Sequence, residues 1–234
     1  VSAVEFDPQI ANTLIKNHPN TKVLIDDICK INSKDLLNGY SNIDVIAGGP
    51  PCQGFSMAGR RIRNSGAFLN DPRNNLFKEF YRVVSDIKPK IFIMENVPGI
   101  LNIHDGEVRN SILQLFGSIG YKTSFKILLA SEYGVPQLRK RAYFIGNNLG
   151  INSEDLFPNK THGANLSANV TIEDAIFDLP FINAGQGKNK STYDKNAISD
   201  YQKSMRGVNK YLYNHVSSNH NPKTLKIMEM IKEG

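Results

Sequence analysis

Short apolar runs that each stop abruptly, with helix-start chemistry between them, constrain this chain more than any other feature. Val1 to Phe6, Val23-Leu24-Ile25, Ile43 to Ala47 and Ile91-Phe92-Ile93-Met94 read as strands. They are too short for helices, and acidic residues, glycine or proline close them. Asp7-Pro8 opens a helix expected to run to about Asn17, with Asp7 as cap and Pro8 at the first helical position. A second helix is expected from Asp71-Pro72 to about Ile87, with Leu76, Phe80, Val83 and Val84 as its apolar stripe. A third covers Glu107 to Gly117, with Val108, Ile112, Leu115 and Phe116 inward. Tyr121 to Leu129 and Arg141 to Ile145 read as two further strands. Strands and helices alternating in this way predict an α/β fold with a doubly wound sheet. After Gly146 the texture turns to Asn, Ser, Gly and Lys. One short helix is expected near Ile172 to Leu179, a flexible loop over 181–196, and a last helix from Asn221-Pro222.

Length and charge bound the function. A chain of 234 residues can bury a proper core. No apolar run is long enough to span a membrane. The first residues carry no basic start followed by an apolar stretch. Two cysteines, Cys29 and Cys52, make neither a disulfide framework nor a paired-cysteine metal site, which fits a reducing cytoplasm. The net charge of +6 suits a polyanionic partner. Arg60, Arg61 and Arg63 form one basic cluster, Arg139, Lys140 and Arg141 a second. Lys188, Lys190, Lys195, Lys203, Arg206 and Lys210 load the last third. For each cluster taken alone, a solvated face is the commoner outcome.

Chemistry concentrates where strands end. Gly48-Gly49-Pro50-Pro51-Cys52-Gln53-Gly54-Phe55-Ser56 follows the third apolar run. Two prolines fix a rigid turn that presents one cysteine. A buried cysteine packing as a small hydrophobe needs no such flanks, so Cys52 reads as a nucleophile. Glu95 leaves the Ile91–Met94 strand ahead of Asn96-Val97-Pro98-Gly99, and a carboxylate at a buried strand's exit is an uncomfortable structural choice. Arg139 and Arg141 alternate as on a strand and are expected on one face. Glu5 ends the first strand, where an acid can hold ribose hydroxyls or can be an ordinary surface residue. Asp27 can accept from an adenine amino group or merely cap a turn. Cys29 reads as structural. Met57 to Asn70, with its arginines, reads as a long mobile loop.

Taken in order, these segments resemble the DNA cytosine-C5 methyltransferases. Gly-Gly-Pro-Pro-Cys52-Gln is similar to the family's nucleophile motif. Asp71-Pro72-Arg73-Asn74-Asn75-Leu76 looks like the helix start that follows it. Glu95-Asn96-Val97 resembles the ENV motif, and Gln137-Leu138-Arg139-Lys140-Arg141 the QxRxR motif. The resemblance implies a Rossmann-like fold that uses S-adenosyl-L-methionine and acts on double-stranded DNA. It implies Cys52 as nucleophile at carbon 6 of cytosine, Glu95 at nitrogen 3, and Arg141 with Arg139 at the ring carbonyl. It assigns Glu5 to the ribose, Phe6 to the adenine face, Asp27 and Ile28 to adenine, and Pro51 and Leu76 to the methionine end. Ser56, Arg60 and Arg61 would hold phosphates around a flipped base. A bacterial restriction-modification enzyme is the leading expectation, with a tRNA cytosine-C5 methyltransferase as alternative and a catalytically silent DNA-binding relative behind it.

The departures carry expectations too. The family's opening Phe-x-Gly-x-Gly strand, central in its sheet, is absent here, so a gap in the middle of the sheet is expected. The target-recognition domain and the last motifs are absent as well. Residues 1–180 read as the catalytic domain, and 181–234 as a basic linker leading toward target recognition. The chain opens inside a strand, so part of a longer protein, or one half of a split enzyme with a complementary chain, is expected. A restriction endonuclease acting on the same site is an implied partner.

Overall fold

The computed structural model describes residues 1–51 and 75–231. Cys52, Ser56, Arg60, Arg61 and the Met57 to Asn70 stretch lie outside them. The chain divides into two units, Val1–Leu129 with Arg139–Asn159, and Ala130–Leu138 with Lys160–Gly234.

The first unit begins with β1 (Ser2–Glu5), α1 (Pro8–Asn17) and β2 (Lys22–Ile25). Asp7 caps α1 as its sequence predicts, its Oδ1 accepting from the amides of Gln9 at 2.7 Å and Ile10 at 3.3 Å. β1 and β2 run parallel, with Glu5 opposite Ile25. Next come β3 (Val45–Gly48), α2 (Asn75–Ile87), β4 (Ile91–Asn96), α3 (Glu107–Ser118), β5 (Lys122–Leu129) and β6 (Lys140–Asn147). They form a second sheet in the order β3-β4-β6-β5, parallel between β3 and β4 and antiparallel beyond.

The core lies under this second sheet. Phe77 and Val84 from α2, Phe92 and Met94 from β4, Ile112 and Phe116 from α3 and Phe144 from β6 are all buried together. The rings of Phe92 and Phe116 approach to 4.1 Å between centroids. Gly146 makes room for them, because a β-carbon there would collide with the Phe92 ring. The stripe expected on α2 is shifted at its start. Leu76 is 37% exposed and Phe77 takes the core position. Leu76 lies in the first turn of α2, and Phe77, Phe80, Val83 and Val84 carry the buried side of the helix.

The strands of the first unit form two separate sheets rather than one continuous sheet. β1 is bonded to β2 and β3 to β4, and no strand among the described residues pairs with the other edge of either. The burial pattern agrees. Parallel strands are normally covered on both faces, and Phe92 and Met94 of β4 are fully buried. By contrast, β1 is only half-buried throughout, and Val45 of β3 is exposed.

The second unit contains α4 (Ile172–Ile176), β7 (Gly187–Thr192), α5 (Asp200–Arg206), β8 (Tyr211–Val216) and α6 (Pro222–Glu229). Capping boxes start two of its helices, Thr171 with Asp174 and Ser199 with Gln202. The loop expected over 181–196 is corrected here: β7 occupies its middle and pairs antiparallel with β8. Lys, Asn, Ser and Thr fill β7, so no apolar alternation announces it, and a backbone ladder to a distant partner holds it. Arg206 knits this unit, bonding Asp178 Oδ2 at 2.6 Å and lying 3.6 Å over the Tyr193 ring.

Candidate active site

The turn that leaves β3 is shaped by space rather than by unusual backbone angles. At Gly48 a β-carbon would sit 2.9 Å from the Phe80 ring, and at Gly49 another would sit 3.2 Å from Glu95 Oε2. Neither glycine has a positive φ. Both allow β3's exit to lie close against its neighbours. Pro50 and Pro51 follow, and Cys52 comes next in the chain. The Pro50 carbonyl accepts a hydrogen bond from Asn96 Nδ2 at 3.1 Å, and Asn96 Oδ1 accepts from the Val97 amide at 2.9 Å.

β4 extends two residues beyond its apolar run and carries Glu95 and Asn96 to its end. Strand alternation sends them to opposite faces. Asn96 joins Phe92 and Met94 on the buried face, and Glu95 is half-buried on the other. Tyr143 of β6 stands opposite Glu95, so Arg141, two residues earlier, shares its face. Arg141 Nε lies 2.7 Å from Glu95 Oε1, the side chains being 23% and 36% exposed. Arg141 Nη1 also donates to the Lys140 carbonyl at 2.8 Å. Arg139 is set apart from this pair: β6 begins at Lys140, leaving Arg139 one residue outside the strand and exposed. Arg141 therefore lies on the strand, and the strand alternation expected of the two arginines does not extend to Arg139.

The candidate cofactor residues stand at or just past the ends of β1, β2 and β3, and at the start of α2. Glu5 is half-buried and its Oε1 accepts from the Asp7 amide at 2.9 Å. Phe6 is 72% exposed. Asp27 Oδ1 accepts from the Cys29 amide at 3.0 Å. That hydrogen bond, with one from the Cys29 thiol and the charge of Lys30, holds the Asp27 carboxyl below the usual carboxylate range. Burial and the same carboxylate push the Cys29 thiol up. Pro51 and Leu76 are both exposed.

Sequence reading missed the residue that anchors the Asp27–Ile28 turn. Arg82, on α2, donates to the carbonyls of Ile28 at 3.0 Å and Ile31 at 3.1 Å and to Ser33 Oγ at 2.7 Å. Glu79 holds the same guanidinium at 2.6 Å. An arginine one turn after a glutamate is the only local signal, and that spacing is common on solvated helices.

Acidic, aromatic and proline residues thus stand at the strand ends of an open α/β scaffold, and a carboxylate–guanidinium pair stands at the exit of β4. Residues 1–232 match the family model described as C-5 cytosine-specific DNA methylase. The chain is 38% identical over 239 residues to the Type II methyltransferase M.DdeI of Desulfomicrobium norvegicum, covering all of this chain and 56% of that protein. It is 38% identical over 202 residues to the Type II methyltransferase M.AquIA of a Picosynechococcus strain, covering 76% of this chain and 79% of that one. Among solved structures, a prophage-encoded DNA modification methyltransferase from E. coli superposes with a TM-score of 0.74 at 28% identity, covering 100% of this chain and 69% of that chain. The chain belongs to the C-5 cytosine-specific DNA methylase family. It spans little more than half of M.DdeI and of M1.HphI from Haemophilus parahaemolyticus, at 56% and 55% of their lengths.

Proposed function

We propose that the protein transfers a methyl group from S-adenosylmethionine to carbon 5 of a cytosine flipped out of duplex DNA, with Cys52 as the covalent nucleophile. The observation that carries this reading is the Glu95–Arg141 pair, 2.7 Å apart, beside the glycine-proline turn that leads to Cys52. Carbon 5 of cytosine is too poor a nucleophile to be methylated directly. A Cys52 thiolate bonding to carbon 6 releases the electron pair of the 5,6 double bond into the ring. Glu95 hydrogen-bonds nitrogen 3 and the exocyclic amino group, relieving the charge that arrives there. Arg141, with Arg139 outside the strand, serves the ring carbonyl and favours the thiolate. When bound, S-adenosylmethionine supplies an electrophilic methyl group. Transfer of the carbon 5 proton to water then leaves its electron pair to restore the 5,6 double bond, which expels Cys52 as thiolate.

The strand-end residues fit such a cofactor. Glu5 and Asp27 are acceptors suited to ribose hydroxyls and an adenine amino group, and the low pKa of Asp27 keeps it in acceptor form. The exposed Phe6 ring offers a face for the base, with Ile28 beside Asp27 and with Pro51 and Leu76 toward the methionine end. The free edges of β1 and β3 support one further strand in the working enzyme's sheet, from elsewhere in the same protein or from a complementary chain. Residues 1–180 would then be the catalytic region, and 181–234 would lead toward DNA recognition. Ser56, Arg60 and Arg61 would take phosphates of double-stranded DNA. A restriction endonuclease cutting the same site, in a bacterial cytoplasm with the nucleoid as substrate, completes the reading.

Covalent trapping tests it. The full-length protein is mixed with S-adenosylmethionine and DNA carrying 5-fluorocytosine, which blocks expulsion of the cysteine. A denaturation-resistant adduct mapped to Cys52 is expected. An adduct with substituted tRNA alone moves the substrate to RNA, and an adduct with neither removes the nucleophile role.

A further inference from the structure

The turn that delivers Cys52 cannot be held by the sheet alone. β3 and β4 pair in parallel up to Gly48 opposite Met94. Continuing that register places Gly49 opposite Glu95 and Pro50 opposite Asn96. Pro50 and Pro51 have no amide hydrogen, so neither can donate to a ladder. The Pro50 carbonyl remains as a backbone handle, and the Asn96 side chain takes it, Nδ2 to oxygen at 3.1 Å.

Asn96 is only 5% exposed, on the same face as the buried Phe92 and Met94. A buried carboxamide costs free energy unless both of its ends are bonded. Here both are. Oδ1 holds the Val97 amide at 2.9 Å, where the chain enters the short helical turn Pro98–Leu101. One side chain therefore ties the exit of β3 to the exit of β4. The same two exits carry Cys52, two residues past Pro50, and Glu95, one residue before Asn96.

We infer that Asn96 is a positioning residue, holding the Pro50 exit of β3, two residues before Cys52 in the chain, against the exit of β4 that carries Glu95. This rests on the proposed covalent role of Cys52. The clamp needs a donor on one end and an acceptor on the other. Aspartate keeps the shape and the acceptor but turns an oxygen toward the Pro50 carbonyl.

Asn147 provides an internal control. It is equally buried, bonding Ser153 Oγ at 2.7 Å, and it faces Ile91 at the far end of the same β4–β6 pair. Full-length Asn96→Ala, Asn96→Asp and Asn147→Ala proteins are compared with the unsubstituted one. Affinity for S-adenosylmethionine and for DNA, melting temperature, and the single-turnover rate of adduct formation on 5-fluorocytosine DNA are measured. In the two Asn96 variants the adduct rate is expected to fall ~100-fold, as a displacement of about 1 Å can cause, with both affinities within about 3-fold. Asn147→Ala is expected to melt earlier while keeping its adduct rate within about 3-fold, because it touches no reacting group. An Asn96 variant that binds both ligands and forms adduct at the unsubstituted rate overturns the inference. So does a fall shared equally by Asn147→Ala, which would mark a general loss of stability. If the unsubstituted protein forms no adduct, it is the role of Cys52 that fails.

Discussion

Gly49 lies so close to Glu95 that a β-carbon on it would sit 3.2 Å from the carboxylate oxygen Oε2. A methyl group at Gly49 must therefore move the carboxylate, which Arg141 holds from its other oxygen. Gly49→Ala is expected to melt within a few degrees of the parent and to lose about 10-fold or more in the rate of methyl transfer. Gly48→Ala makes a different collision, with the Phe80 ring at 2.9 Å, and is expected to cost about 1–3 kcal/mol of stability. Melting curves and single-turnover rates measured on both variants separate the two effects. Equal stability loss in the two would contradict the geometry.

The Glu95–Arg141 pair is partly exposed, so its contribution to stability is expected to be under about 1 kcal/mol. Its contribution to rate is expected to be far larger. Arg141→Ala should lower single-turnover methylation by about 100-fold or more while leaving the denaturation midpoint nearly unchanged. Urea melts alongside kinetics decide the point, and a variant that loses several kcal/mol but keeps its rate would make the pair structural.

Arg82 predicts a binding defect at a distance. Its removal leaves the Ile28 and Ile31 carbonyls without the donor that fixes the Asp27–Ile28 turn. Arg82→Ala is expected to cost about 1–3 kcal/mol in stability and to weaken S-adenosylmethionine binding in the full-length protein. Calorimetry below the melting temperature of the variant reads the second effect alone. Unaltered affinity in a folded Arg82→Ala protein would detach this clamp from the cofactor edge.

Tyr121 gives a pH signature. The residue is buried, its hydroxyl donates to the Pro89 carbonyl at 2.5 Å, and burial pushes its pKa up to about 12. In the unfolded chain the phenol ionises near its ordinary value of about 10. The neutral phenol thus favours the folded state fully below pH ~10, and this contribution is lost as pH rises toward 12. Tyr121→Phe should lose about 1 kcal/mol at neutral pH, since Asn148 still donates to the Pro89 carbonyl at 3.2 Å. Its stability should also fall less steeply above pH ~10. Parallel alkaline slopes for the two proteins, measured by circular dichroism melts, would disagree with this assignment.

Legibility in the sequence varied with how local each cause is. The start of α1 is fixed by Asp7 and Pro8 themselves, and the structure places cap and first turn where those two residues require. The α/β alternation was equally plain, because short apolar runs between turn residues have few other uses. The sequence ends β4 two residues short, since Glu95 and Asn96 look like turn residues until Tyr143 and Ala142 are seen across from them. β7 reads as loop in the sequence because its strand state comes from pairing with β8, some twenty residues away, and not from its own composition. At the site, Glu95 and Arg141 stood out as charges beside apolar runs. Asn96 and Arg82 did not, because their partners are backbone carbonyls that no side-chain pattern records.

The edges of β1 and β3 that pair with no strand among the described residues have a consequence outside catalysis. Unpaired strand edges invite other chains to add to them, and proteins ordinarily blunt, cover or pair such edges. β3 presents Val45 and β1 is preceded by Val1, both exposed and both good strand formers, with Asp44 and Glu5 as the charges beside them. These residues expressed by themselves should therefore tend to self-associate, and the strand that fills the sheet would act as their solubility partner. Pairing those edges and keeping the protein dispersed would then be one and the same event.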